Sequence, residues 1–278
     1  MIQFQWDTSN MTPSLIKIAN YIKKNTNQVL LSTEIEIAEA VQVSIASVSR
    51  FWRIVGYKNF KDFKTQVKAE FEVSPAQKMK NAFRKVEGHE LLMYPTIEAS
   101  LHHLYQTLEF ITHNDFQQTI QLLNDSPKIY IHAPGPSASL GILMQYRITR
   151  YGRDISLLEK GGSELLEDLL HIKEDDVVII FSFIHLLPEA KVILDHSKNI
   201  GFQTIVISDL LISDFSHLPT LYLFASRGEL SEFHSMVAPT FLIENIIVAM
   251  GMKNREENIQ RLDQLSELRQ KYALELPR

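Results

Sequence analysis

Residues 33–55, Thr-Glu-Ile-Glu-Ile-Ala-Glu-Ala-Val-Gln-Val-Ser-Ile-Ala-Ser-Val-Ser-Arg-Phe-Trp-Arg-Ile-Val, decide the fold of the N-terminal part of the chain. Thr33 and Glu36 stand at capping-box spacing ahead of Ile37, Ala38 and Val41, so a helix begins there. The pattern breaks at Gln42-Val43. Ser44, a good N-cap, then opens a second helix that runs to Gly56, a residue suited to the position just past a helix end. A capped helix, a short break and a second capped helix have the arithmetic of a helix–turn–helix. Wound at helical pitch, the second helix puts Ile45, Val48, Phe51, Trp52 and Val55 on one side and Ala46, Ser49, Arg50 and Arg53 opposite, with Ser47 flanking. Small polar residues let a helix backbone approach the floor of the major groove, and arginine can bond guanine bidentately or grip phosphate. Ser44, Ala46, Ser47, Ser49, Arg50 and Arg53 are therefore the candidate DNA-facing residues. Periodicity alone fits an ordinary solvated helix face equally well, and charge separates the two readings.

From Arg50 to Lys68 the chain carries Arg50, Arg53, Lys58, Lys61, Lys64 and Lys68 against a single acid, Asp62. Residues 1–72 hold nine basic and seven acidic side chains, whereas residues 73–278 hold 19 and 26, so the net charge of −5 belongs to the C-terminal part. A local basic excess inside an acidic protein is the footprint expected for double-stranded DNA, with Lys58, Lys61 and Lys64 as phosphate contacts. The surrounding sequence completes an all-helical unit. Thr12-Pro13 opens a helix with Leu15, Ile18, Ala19 and Ile22 on one face, and Asn59 caps another that carries Phe60, Phe63, Val67 and Phe71. We therefore expect a helix–turn–helix domain over residues 1–72 and a linker over 73–95, partly helical, where Pro75, a charged stretch and Gly88 weaken the pattern.

Residues 96–278 read differently. Helical spacing near 96–125 gives way to continuous β-branched apolar runs at Lys128–Ala133, Asp154–Leu158, Val177–Phe181, Thr204–Ser208 and Thr220–Phe224, alternating with helical segments. Such runs suit strands buried on both faces, so the expected architecture is α plus α/β, the second domain being a doubly wound, flavodoxin-like parallel sheet of five strands. A long helical stretch from about His234 to Leu274 closes the chain, and its apolar residues Phe241, Leu242, Ile246, Ile247 and Met250 are the expected partner surface, together with the helices before Pro127, with core packing as the alternative. Small ligands of open α/β sheets sit beyond the C-terminal strand ends. Those ends are Ala133–Ser139, Ser182–Leu187 and Ser208–Asp209.

Other chemistries are excluded residue by residue. The absence of cysteine removes disulfides, thiolate nucleophiles and cysteine-held metals. No apolar run is long enough to cross a bilayer and the N-terminus lacks the form of a signal peptide, so a cytoplasmic protein with no membrane partner is expected. Gly135-Pro136-Ser137-Ala138-Ser139 lacks the final glycine of a nucleophile elbow, and neither a dinucleotide fingerprint nor a Walker A loop is present. The ten histidines include no metal-binding helical pair, and His102-His103 point apart on a helix. Glu164, Glu167 and Asp168 have the spacing of a solvated helix face. No catalytic residue, metal or cofactor is assigned.

Residues 12–71 also resemble the N-terminal domain of RpiR-type bacterial transcriptional regulators. The similarity rests on Thr12-Pro13-Ser14, Ile37-Ala38-Glu39-Ala40, Val43-Ser44, Ala46-Ser47-Val48, Arg50-Phe51, Arg53, Gly56-Tyr57-Lys58 and Phe60 with Phe63-Lys64. Gln42 stands where that family usually has glycine, which implies a slightly reshaped turn. The resemblance implies a C-terminal SIS domain, the sugar-isomerase fold, sensing a phosphosugar or related metabolite. Its first loop resembles Gly-x-Gly-x-Ser and reads here Ala133-Pro134-Gly135-Pro136-Ser137. Its second, resembling Ser-x-Ser-Gly-x-Thr, reads Ser182-Phe183-Ile184-His185-Leu186-Leu187 and keeps only the first serine. Two hydroxyls and the glycine that lets the backbone wrap an oxyanion are gone. Gly135, Ser137, Ser139, Ser182, His185, Ser208 and Asp209 remain as candidate ligand-binding residues, with His185 also fitting a bystander. Three readings follow: a ligand-responsive regulator acting as a homodimer or homotetramer on a roughly palindromic operator, a DNA-binding protein whose SIS-like domain only assembles it, and a sugar-phosphate isomerase. An isomerase has no use for a helix–turn–helix, so the first reading leads and hexose phosphates are expected to bind weakly.

Overall fold

The computed structural model describes residues 6, 11–71, 74–88, 91, 93–211, 215–229 and 231–277. It divides between Ala82 and Phe83 into two units, residues 1–82 forming the bulk of one and the rest of the chain the bulk of the other.

The elements of the N-terminal unit are helices: α1 (Pro13–Lys24), α2 (Thr26–Leu31), α3 (Glu34–Val41), α4 (Ile45–Ile54), α5 (Phe60–Phe71) and the greater part of α6 (Pro75–Val86), whose last residues fall in the second unit. Its core gathers Ile18, Ile22, Ile37, Val48, Phe51, Trp52, Phe63 and Val67. Trp52 is the hub, stacked on Phe60 at 4.8 Å and edge-on to Phe51 at 5.3 Å between ring centroids. Two expectations are corrected here. Ile45 does not pack with Val48 and Phe51; it is 48% exposed, because as the first residue of α4 it extends past the neighbouring helices. The turn after α3 is not reshaped: Gln42 itself takes the left-handed conformation at φ 57°, ψ 52° that glycine would adopt without penalty.

The second unit contains α7 (Met93–Phe110), α8 (His113–Asp125), β1 (Lys128–His132), α9 (Ala138–Ile148), β2 (Asp154–Leu157), α10 (Leu165–Leu169), β3 (Val177–Phe181), α11 (Pro188–Ile200), β4 (Gln203–Ser208), β5 (Leu221–Phe224), α12 (Val237–Lys253) and α13 (Arg255–Lys271). All four strand pairings are parallel, in the order β2-β1-β3-β4-β5. Alternation along each strand divides the core. Ile129, Ile131, Ile179, Phe181, Ile205, Ile207 and Leu223 meet α8, α9 and α12 on one face. Tyr130, Val178, Ile180 and Val206 meet α10 and α11 on the other. β1 and β3 stay paired to their ends, but the helices that follow them, α9 and α11, cover opposite faces, so their loops part at the switch in strand order, the usual ligand position in such sheets.

Two helical spans each divide in two. The helical run near 96–125 is two helices, since Thr112 caps a new start by accepting from the Asp115 amide at 3.0 Å. The long closing helix is also two, broken at Asn254. Of its apolar residues, Leu242, Ile246, Ile247 and Met250 are core, covering the sheet, so they are not a partner surface.

Candidate functional sites

The helix–turn–helix is held by its own polar side chains. Thr33 and Glu36 form the anticipated capping box, the Thr33 amide donating to Glu36 Oε2 at 2.6 Å and the Glu36 amide to Thr33 Oγ1 at 3.2 Å. The Thr33 amide and hydroxyl hold the Glu36 carboxyl below its ordinary pKa. Ser44 caps α4 by accepting from the Ser47 amide at 3.2 Å, and the two hydroxyls lie 2.9 Å apart. Glu34 Oε1 receives both the Ser49 hydroxyl, at 3.0 Å, and the Trp52 indole N–H, at 2.9 Å, which ties α3 to α4. Ser49 is thus engaged within the motif, a contact with Glu34 that helix periodicity could not foretell.

Ala46, Ser49, Arg50 and Arg53 all lie on exposed positions of α4, with Ser47 half-buried beside them. The Arg50 guanidinium folds back along its helix, its Nε 3.3 Å from the Ala46 carbonyl. Lys58 and Lys61 are exposed. Asn59 caps α5 by accepting from the Asp62 amide at 2.9 Å, and the Asp62 carboxylate accepts from the Lys58 amide at 2.8 Å, a bond that lowers its pKa. Lys64 is occupied: its ammonium donates to the Ser32 carbonyl at 2.7 Å and lies 4.5 Å from the Phe60 ring centroid.

The second site lies beyond the sheet's C-terminal edge. After β1, Gly135 takes φ +58° with open space where a side chain would stand, so the backbone there can approach a ligand. The buried Ser137 hydroxyl donates to the Pro134 carbonyl at 2.6 Å, and Ser139 to Pro136 at 3.0 Å. After β3, Ser182 is buried and donates to the His185 carbonyl at 3.2 Å, while the His185 side chain is exposed. Ser208 is buried at the end of β4 and accepts from the Leu210 amide at 3.3 Å. The surviving hydroxyls are therefore spent on their own loops.

Three features at this edge escaped sequence reasoning. Ile184 sits in the left-handed region at φ 70°, which for a β-branched side chain stores strain of about 1–3 kcal/mol. Its amide donates to Asp209 Oδ1 at 2.6 Å, the bond that holds the strained conformation. The other Asp209 oxygen faces Arg227, which lies three residues past β5 and had given no motif signal. His132, the last residue of β1, is 5% exposed, and neither ring nitrogen has a hydrogen-bond partner. Burial lowers its pKa below the ordinary imidazole value, opposed by the Leu158 backbone and the Glu189 charge. Glu189 accepts from the Gly162 amide at 3.2 Å at the adjacent mouth.

Comparison with known proteins fits this arrangement. The family model described as a helix–turn–helix domain of the rpiR family matches residues 2–74, and the SIS domain model matches residues 122–249. The chain belongs to the RpiR-type transcriptional regulators. These are DNA-binding regulators that join a helix–turn–helix domain to a SIS domain, and the five-stranded parallel sheet is the SIS fold. An HTH-type transcriptional regulator of Caldanaerobacter subterraneus is 20% identical over 265 residues, spanning 94% of this chain and 93% of its own. YbbH of Bacillus subtilis, also named an HTH-type transcriptional regulator, is 21% identical over 91% of this chain and 90% of its own. Among solved structures, Vibrio vulnificus NanR complexed with ManNAc-6P superposes with a TM-score of 0.62 at 18% identity, covering 94% of both chains. The sugar isomerase domain of an RpiR transcription factor from Sphaerobacter thermophilus gives 0.57 at 17% identity, over 62% of this chain and 96% of that one. At these identities the superpositions bear on the fold alone. Among the described residues, no helix is long and apolar enough to cross a membrane and no cluster of acidic and histidine side chains could hold a metal.

Proposed function

We propose that this RpiR-type regulator binds a roughly palindromic operator as a homodimer or homotetramer and that a small metabolite at the strand ends of its SIS domain modulates the binding. The observation that carries the DNA reading is the split face of α4: Phe51, Trp52 and Val48 are sealed in the core while Ala46, Arg50 and Arg53 face outward beside a basic stretch. Lys58 and Lys61 serve as phosphate contacts, and Ser44 and Ser47 set the start of the recognition helix. One recognition helix covers few base pairs, so two-fold pairing supplies the rest. The surface for that pairing is α7, whose Tyr94, Ile97, Leu101, Tyr105 and Leu108 form an exposed apolar stripe at helical spacing.

The SIS domain points to sensing rather than isomerisation. Gly135, Ser137, Ser139, Ser182, Ser208 and Asp209 all lie at or just past the C-terminal ends of β1, β3 and β4, yet the second loop offers Ile184, Leu186 and Leu187 where phosphate-gripping groups are expected. NanR, of the same fold, is complexed with ManNAc-6P. We assign this chain a metabolite that is less anionic or partly apolar. A domain that serves assembly alone is the second reading, favoured by the internal use of the surviving hydroxyls.

The test begins with selection of bound duplexes from a random library and light scattering of the complex. Arg50→Ala and Arg53→Ala should each weaken the selected duplex by about 1–3 kcal/mol and relax preference at one position, whereas Lys61→Ala should weaken all duplexes alike. Unchanged affinity in both arginine variants would overturn the docking. One copy of the chain per duplex would overturn the pairing.

A further inference from the structure

The second SIS loop keeps a single hydroxyl, that of Ser182, yet a cation that no motif marks stands against it. Arg227 is 6% exposed and lies with its guanidinium carbon 4.4 Å from the centroid of Phe183, the residue after Ser182. Its ion pair is loose. Nη1 is 3.4 Å from Asp209 Oδ2, against the 2.7–2.9 Å usual for a charge-assisted bond between such groups. Among the described residues this is the only polar partner of the guanidinium, and Nε is buried with none at all. A guanidinium has five donors in a planar fork, so most of its capacity is unmet.

The carboxylate opposite is divided as well. Asp209, 8% exposed in its side chain, gives its shorter bond to the Ile184 amide at 2.6 Å and only the longer contact to Arg227. A buried ion pair normally closes to the best geometry available, because desolvation is repaid only by close contact. Here the carboxylate is held back by the strained loop and the guanidinium by the Phe183 ring. The arrangement keeps a partly unpaired buried cation beside the loop that follows β3. Burial also lowers the Arg227 pKa, with Asp209 opposing, as desolvation of the cation requires.

We propose that Arg227 is the anion-binding residue of the effector site and that the effector presents a single carboxylate or phosphate group to it, with an apolar portion against Phe183, Ile184 and Leu186. This rests on the reading that the strand ends bind the effector. The anion completes the guanidinium fork and competes with Asp209, whose other oxygen holds Ile184. Occupancy is thereby coupled to the conformation of the loop after β3. The role once held by loop hydroxyls has moved to a side chain beyond β5.

The experiment uses the full-length protein, with melting temperature and calorimetric affinity measured against inorganic phosphate and acetate, each referred to sodium chloride of matched ionic strength. ManNAc-6P is measured in parallel. At least one oxyanion should stabilise the wild type, and the stronger of the two identifies the group. Arg227→Met should weaken that binding roughly ten- to a hundredfold, the loss expected for charged hydrogen bonds. Arg227→Lys, which keeps the buried charge, should weaken it less. Asp209→Asn retains an acceptor for the Ile184 amide while removing the competing charge, so it should tighten oxyanion binding. Equal binding by wild type and Arg227→Met, with Arg227→Lys also unchanged, would overturn the proposal, as would the absence of any oxyanion effect. If ManNAc-6P binds the wild type and Arg227→Met alike, effector sensing stands and Arg227 falls; if no probe binds, the assembly-only reading replaces both. Operator binding by each variant confirms that it is folded.

Discussion

The two candidate sites differ in what fixes their geometry: side-chain caps hold the helix–turn–helix, whereas the helices that follow β1 and β3 begin without them. In the helix–turn–helix, the residues that face outward and those that form the core alternate along one helix, and the contacts that orient them are mostly short range: Thr33 to Glu36, Ser44 to Ser47, Asn59 to Asp62. At the strand ends of the SIS domain the decisive contacts are long range. Ile184, Asp209 and Arg227 come from three separate segments, and each fixes the others. The difference teaches that a face presented by a helix survives on local rules, whereas a loop site depends on partners that only the fold assembles.

The sharpest way to break the comparison is to remove the hub of the first region. Trp52 is fully buried, packs on Phe51, Phe60 and Phe63, and anchors Glu34. Trp52→Ala should destabilise the N-terminal unit by about 3–5 kcal/mol, the range for a buried aromatic. The SIS unit, with its own core, should keep its stability. Urea unfolding followed by circular dichroism and limited proteolysis checks this. Loss of both units together would show one cooperative structure rather than two.

The contrast also explains what the sequence made legible. The helix–turn–helix and five parallel strands followed from capping residues and apolar runs, because such signals act within a few residues. The helix break at Thr112 was missed because apolar spacing continues across it. The break at Asn254 is marked only by a run of polar residues from Lys253 to Asn258, which suits a solvated helix face as well as a helix end. Ile45 was misplaced because helical periodicity reports direction but not whether a neighbour extends far enough to cover it. Arg227 and His132 were invisible for another reason: a buried polar residue next to apolar neighbours looks like any strand-end residue until its partners, or their absence, are known. The serines of the first loop were legible as chemistry, but not the fact that Pro134 and Pro136 carbonyls already take their protons.

His132 gives a smaller effect that sharpens the view of the second region as a place where polar groups are kept unsatisfied. A buried polar group without a hydrogen bond costs roughly 1–3 kcal/mol, so His132→Leu should raise the stability of the SIS unit by about 1–2 kcal/mol at neutral pH. The pH dependence has a definite sign. Burial lowers the folded pKa, so the unfolded chain takes up a proton more readily, and this contribution to stability is present above about pH 6.5 and lost progressively as pH falls below it. His132→Leu should abolish that component. Melting temperatures of both proteins between pH 5 and 8 check it: parallel curves would show that His132 does not titrate differently on folding.

The smallest effect returns to the first region, where the left-handed turn at Gln42 is the one described backbone position expected to carry strain. Gln42 adopts φ 57° to end α3, and its amide donates to the Glu39 carbonyl at 3.1 Å while the Val43 amide donates to Ala38 at 3.0 Å. Both bonds are backbone bonds, so a glycine would keep them. Gln42 is exposed and its side chain contributes no cap. Gln42→Gly therefore removes only the crowding between Cβ and backbone, offset in part by the greater freedom of glycine in the unfolded chain. The net expectation is a gain of about 0.5–1 kcal/mol in the N-terminal unit, with operator affinity unchanged. Gln42→Ala is the control, because it shortens the side chain but keeps Cβ and so should gain nothing. Equal stability of the glycine and alanine variants would show that the left-handed turn carries no penalty here. It would leave Ile184, where a β-branched side chain takes the same conformation against a buried carboxylate, as the only described non-glycine turn whose backbone is held under strain.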